Sequence, residues 1–185
     1  KSKILQIQNK ALELSMFLSL PATIALLIGA EEIISALFGY GSFSETAVSN
    51  SAMALYYFGL GLPAFALIKV FSTFFFANHD TKTPFYISLT AVILNIIISI
   101  YYFKNVGFII IPIATTISSW FNAIILFIFL TNRSLFYFNK IFFIKLIKIS
   151  FASIVMGLLF KYLISIFQYE LVYENYSKSI YLVIS

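Results

Sequence analysis

Few side chains in this 185-residue chain could do chemistry. The first is Lys69, the only charge set well inside any of its long apolar runs. An ammonium at membrane depth costs roughly 2.5 to 3.5 kcal/mol on insertion scales, so such a lysine is a candidate functional site by default. The other reading is that it reaches the nearer headgroups along its own methylene stem, since its run ends at Ala77. Both fit the sequence.

The other reactive residue types are scattered. His79, the single histidine, has no cysteine or second histidine to share a metal, and the carboxylates fall at the rims of apolar runs or in loops. No zinc site and no acid/base pair can be assembled from them, which argues for a non-enzyme with no metal centre and no cofactor. Two polar stripes remain. Ser88, Asn95 and Ser99 share one helical face, and Thr115, Ser118, Ser119 and Asn122 share another. They suit helix packing through small and hydroxyl side chains. A sharper reading makes Asn95, Ser99 and Thr115 an all-oxygen pocket for a small hard cation, weak because it lacks a carboxylate; sodium coupling would follow from it.

The elements that must position these groups are membrane helices. Hydrophobic residues make up 61% of the chain and charged residues 10%, with a mean hydropathy of +0.98. That composition predicts an all-α, polytopic transmembrane bundle. Five complete spans are expected at about 14–38, 52–77, 84–103, 108–130 and 149–167, with a truncated sixth at 180–185, so that the chain reads as a fragment of a longer protein. Residues 1–12 form an amphipathic lead-in expected at a membrane surface, and no cleavable signal peptide is recognisable. Pro21, Gly59, Gly61, Pro63 and Pro112 are the expected kink positions. Ser44 followed by Glu45 reads as a helix start.

Between the second and third spans lies the turn 78–83, with Asp80, Thr81, Lys82 and Thr83 leading into Pro84, which suits the first turn of a helix. The third and fourth spans are joined by so short a hairpin, around Lys104, Asn105 and Gly107, that they must be antiparallel neighbours. The two polar stripes can then face each other. Residues 131–148 form a basic connector in which Phe136, Tyr137, Phe138, Phe142 and Phe143 suit headgroup anchoring better than nucleic-acid binding. Lys161, near the outer end of the fifth span, is expected to reach outward.

Counting Lys and Arg by loop tests the orientation. One side receives Lys1, Lys3, Lys10, Lys82, Arg133, Lys140, Lys145 and Lys148, the other only Lys104 and Lys178. The residue-1 side, the turn 78–83 and the connector are therefore expected in the cytoplasm.

Three stretches together resemble a known family. LPATIALLIGAEEIISALFGYGSF in the first span, GLGLPAFALIKVFSTFFFANHDTKTP across the second span and its turn, and the following Asn95 are similar to the second half of the MurJ (MviN) lipid II flippases, within the multidrug/oligosaccharidyl-lipid/polysaccharide exporter superfamily. The likeness runs from about residue 13 to 130. It implies a fourteen-helix, two-lobe transporter of the bacterial inner membrane, with residues 1–130 as about helices nine to twelve and 149–185 as helix thirteen and the start of fourteen. It implies transport of the undecaprenyl-pyrophosphate-linked peptidoglycan precursor to the periplasmic leaflet by alternating access, with that precursor and membrane lipids as partners and no nucleic acid. Lys69, Asn95 and Asn122 become candidates for the cavity that meets the substrate. Asp80, Thr81, Lys82, Thr83 and Pro84 become a cytoplasmic gate turn, or else a purely structural cap and helix start. The family's cavity arginines lie in helices outside this segment. The alternatives are a polysaccharide or drug exporter of the same superfamily and, from another class, a non-transporting membrane scaffold.

Overall fold

A computed structural model describes residues 2–167. It contains α1 (Ser2–Phe38), α2 (Glu45–Phe76), α3 (Lys82–Val106), a 3-10 turn (Gly107–Ile109), α4 (Ile110–Asn132) and α5 (Lys140–Ile166). The polar segment 168–178 and the expected span at 180–185 lie outside the described residues.

Four helical stretches are long and apolar enough to cross a membrane: Ile4–Phe38, Glu45–Phe76, Lys82–Asn132 and Lys140–Ile166. The third is not a single rod. It reverses at Gly107, whose φ of 74° is a left-handed conformation open to glycine at little cost. Thereafter α4 runs back along α3, the hairpin that the short loop required.

The helices lie beside one another in an order different from the chain. α5 packs on α1, α1 on α2, α2 on α4 and α4 on α3, while the consecutive α2 and α3 scarcely touch. Apolar side chains cover the outer faces, with Ile100 72%, Ile147 69% and Phe151 69% exposed. In hydrocarbon such faces are at home, and what joins the helices is close packing and polar contact.

Glycine supplies the close packing. A Cβ at Gly59 would lie 3.1 Å from Leu26 Cβ on α1, and one at Gly61 would lie 3.0 Å from Thr116 Oγ1 on α4. These two glycines let α2 fit between its neighbours. Along the α1–α5 seam the arrangement is reciprocal: Phe160 of α5 occupies the space a Cβ at Gly29 would need, and Ile24 of α1 occupies the space a Cβ at Gly157 would need.

Several expectations need correction. Residues 2–12 of the lead-in continue into the first span as one helix, α1, because no breaker separates them. The non-helical residue in α1 is Gly29 (φ −116°, ψ 25°), not Pro21. α2 is helical without interruption through Gly59, Gly61 and Pro63. Pro112 falls in the first turn of α4, where its missing N–H leaves no bond unmade. The basic connector is mostly helix, since α5 begins at Lys140, and its aromatic residues divide. Phe136 and Phe142 are buried in a core with Leu12, Phe71, Phe74, Phe75, Leu126 and Leu130, whereas Tyr137 and Phe143 remain exposed. The expected start of α2 holds: Ser44 Oγ accepts from Ala47 N at 3.2 Å, with Glu45 in the first turn.

Candidate functional site

The turn from α2 to α3 is built from the backbone outward. At the end of α2, Asn78 Nδ2 donates to Phe74 O at 2.7 Å and Asp80 N donates to Phe75 O at 3.1 Å. His79 takes a left-handed φ of 58° to reverse the chain. Asp80 Oδ1 then accepts from Thr83 N at 3.0 Å, capping the exposed N–H groups at the start of α3. Thr81 and Lys82 point outward, and Pro84 is buried in the first turn of α3.

Arg133, the chain's single arginine, closes the turn from below α4. Its Nη1 donates to Asp80 Oδ2 and its Nη2 to Thr83 Oγ1 at 3.1 Å, while its guanidinium carbon lies 5.9 Å from the ring centres of both Phe75 and Phe129. Such a planar fork can bond two acceptors while resting on aromatic faces, which lysine cannot do. The Thr83 backbone N–H, the Thr83 hydroxyl and Arg133 hold the Asp80 carboxyl down to about 2 from its ordinary 3.8. So the DTKTP turn is fastened to the end of α4 by charge. Its sequence neighbours did not announce this, because the partner lies fifty residues on; the signal available was a lone Arg among eleven lysines.

A second set of contacts fastens the same end of the bundle. Asn9 Nδ2 donates to Tyr137 O at 3.1 Å, Asn9 Oδ1 accepts from Asn139 N at 3.1 Å, and Lys145 Nζ donates to Glu13 Oε2 at 2.7 Å. The start of α1 is thereby tied to the start of α5. Nothing in the spacing of Asn9 or Asn139 marks them for this role.

The two polar stripes do meet. Asn95 Nδ2 donates to Thr115 Oγ1 at 3.1 Å and to Ser118 Oγ at 3.3 Å, and Asn122 Nδ2 donates to Ser88 Oγ at 3.3 Å. Thr115 Oγ1 in turn donates to Ile111 O at 2.8 Å, and Ser119 Oγ to Thr115 O at 2.7 Å. Asn122 is buried and its Oδ1 has no partner, so a polar atom inside the hairpin keeps an acceptor to offer. Ser99 makes no hydrogen bond to Asn95 or Thr115. The Asn95 amide turns its N–H groups toward the hydroxyls. A cation there would need the amide turned over to present its oxygen.

Lys69 stands on the exposed side of α2 with no carboxylate within ion-pairing distance among the described residues. It lies about 10 Å, at 1.5 Å per residue, from the helix end at Phe76. Just before Gly61, α2 packs its backbone against polar side chains of α4: Thr116 Oγ1 donates to Tyr57 O at 2.7 Å and Trp120 Nε1 to Leu60 O at 3.0 Å. Among the described residues no group of three His, Cys, Asp or Glu could hold a metal.

The chain has known relatives. A family model described as "Lipid II flippase MurJ" matches residues 1–182. Proteins described as "Probable lipid II flippase MurJ" are similar to it: one from Rhizobium meliloti is 40% identical over 129 residues, covering 69% of this chain and 24% of the relative. One from Rickettsia prowazekii is 36% identical over 128 residues, covering 69% and 25%. One from Thermotoga maritima is 38% identical over 143 residues, covering 77% and 28%. The chain thus spans about a quarter of the length of these relatives. A solved structure titled "Lipid II flippase MurJ, inward closed conformation" shares its fold, with a TM-score of 0.78 at 22% identity, over 99% of this chain and 37% of that one.

Proposed function

We infer that this chain, which belongs to the lipid II flippase MurJ family, supplies part of a bacterial inner-membrane transporter that carries the lipid-linked peptidoglycan precursor from the cytoplasmic to the periplasmic leaflet by alternating access. The observation that carries this reading is the family match across residues 1–182. The geometry suggests how the residues divide the work.

In this reading the five described helices make five crossings, as helices nine to thirteen of a two-lobe protein. The Lys and Arg bias favours the cytoplasm for the residue-1 side, the turn 78–83 and the connector that leads into α5. A pyrophosphate entering from that side loses hydration, and a cation near the entry offsets the loss. Lys69, unpaired and about two turns above the cytoplasmic turn, is the group that meets it. Asn95 and Asn122 offer amides to sugar or peptide groups, and Asn122 Oδ1 is free to accept.

Asp80, Thr81, Lys82, Thr83 and Pro84 act as the gate turn, with Arg133 holding it closed against α4. A monovalent cation would rest on Asn95, Ser99 and Thr115, weakly, since all three are neutral. The chemistry such an ion supplies is charge coupling; the residues' own part is to bridge α3 and α4.

The test is complementation. A full-length protein carrying this segment should restore growth and cell shape to a bacterium depleted of its lipid II flippase, and a carrier with the segment deleted should not. Rescue by the deleted carrier at normal membrane levels would refute the proposal.

A further inference from the structure

The α1–α5 seam ends differently at its two extremities. Near the starts of both helices opposite charges meet directly, Lys145 Nζ to Glu13 Oε2 at 2.7 Å. Near their ends Glu32 and Lys161 line one crevice of about 380 Å³ without forming an ion pair, together with Leu27, Ile28, Ile164 and Ser165. That volume would hold about a dozen waters, far more than a solvent-separated ion pair requires. The glycine contacts between these ends, Phe160 on Gly29 and Ile24 on Gly157, fix the helix separation, so the gap is not a slip of register.

We propose that Glu32 and Lys161 bind the headgroup of a zwitterionic phospholipid, one carrying a primary ammonium and a phosphate, as phosphatidylethanolamine does. A simple anion would meet Glu32 and a simple cation would meet Lys161; only a ligand bearing both charges satisfies both walls. Depth agrees with this occupant. Glu32 and Lys161 each stand within two turns of the helix ends at Phe38 and Ile166. With α1 about 55 Å long and α5 about 40 Å at 1.5 Å per residue, against a hydrocarbon core of about 30 Å, these terminal turns lie at the headgroup layer. Leu27, Ile28 and Ile164 give the crevice an apolar floor for the first carbons below the phosphate. Ser165 Oγ, which donates to Tyr162 O at 2.7 Å, keeps a lone pair for an ammonium N–H. Exposed Glu31 beside the crevice adds to the preference for the ammonium.

The site does not depend on transport, so its failure and the failure of the flippase reading are separate results. The test uses the full-length protein that carries this segment, reconstituted with equal phosphatidylethanolamine, phosphatidylcholine and phosphatidylglycerol, with retained lipids counted by native mass spectrometry. Phosphatidylethanolamine should be retained over both others, and Glu32→Gln or Lys161→Met should each lower its retention about threefold, as for a partly exposed ion pair. Glu32→Gln should also raise the share of phosphatidylglycerol. Equal retention of the three lipids by the wild type overturns the proposal. So does an ethanolamine preference that survives Glu32→Gln at an unchanged melting temperature. If a variant does not fold, the wild type decides alone: methylating the ammonium removes the N–H donors Glu32 accepts, so equal binding of the ethanolamine and choline lipids refutes the site.

Discussion

Arg133, beyond the last turn of α4, holds Asp80, at the entry to α3, through a charge-assisted hydrogen bond that its second nitrogen extends to Thr83. The bond ties the turn between α2 and α3 to the end of α4, at the open end of the α3–α4 hairpin. Because the Asp80 and Arg133 side chains keep 21% and 45% of their surface exposed, the coupling is moderate rather than large.

A double-mutant cycle measures it. Asp80→Asn and Arg133→Ala should each lower the melting temperature of the full-length protein, and the pair should show a coupling of about 1 kcal/mol. Arg133→Lys should recover less than half of the loss, because an ammonium cannot fork to Asp80 and Thr83 while lying between Phe75 and Phe129. Full recovery by lysine would mean that charge alone matters.

The same pair predicts a pH dependence. The Asp80 carboxyl titrates at about 2 when folded against 3.8 ordinarily, a depressed value, so its contribution is fully present above 3.8 and is lost as pH falls through about 2. The stability gap between wild type and Asp80→Asn should therefore be constant above pH 3.8 and close near pH 2. Melting curves across that window check it; a gap that closes near neutrality would assign the effect to another group.

Packing at the α1–α5 seam is equally specific. Gly157→Ala puts a methyl where Ile24 already sits and should cost about 1 to 3 kcal/mol, as overpacking does. Ile24→Ala in the same chain should return much of that loss, a non-additivity readable from the two melting temperatures. Simple additivity would mean that the helices do not meet there.

Inside the hairpin, Asn95→Leu should destabilise by about 0.6 kcal/mol and at most about 1.7, the range for hydrogen bonds between membrane helices. A transport defect much larger than that stability loss would point to a ligand, cation or substrate, at Asn95.

Much of this was legible in the residues. Long apolar runs, the Ser44 cap, the Lys104–Gly107 reversal and the facing of Asn95 on Thr115 all follow from periodicity and loop length, which are local properties. What stayed hidden depends on contact between distant segments. Phe136 and Phe142 look like headgroup anchors until α1 and α2 close over them. Gly29 and Gly157 have no turn or cap signal, since their role is to admit a side chain from another helix. Pro112 reads as a kink only while the start of α4 is placed too early. For Lys69 the sequence and the structure agree on isolation: it has no ion pair among the described residues.

The central claim is that Lys69 meets the anionic headgroup of the precursor as it enters. The direct measurement is the rate at which lipid II becomes accessible at the outer face of vesicles bearing the full-length protein, compared among wild type, Lys69→Arg and Lys69→Ala at matched protein levels. Loss of a charged contact should slow Lys69→Ala about tenfold or more, with Lys69→Arg retaining most of the rate. A Lys69→Ala protein that translocates lipid II at the wild-type rate would contradict the account.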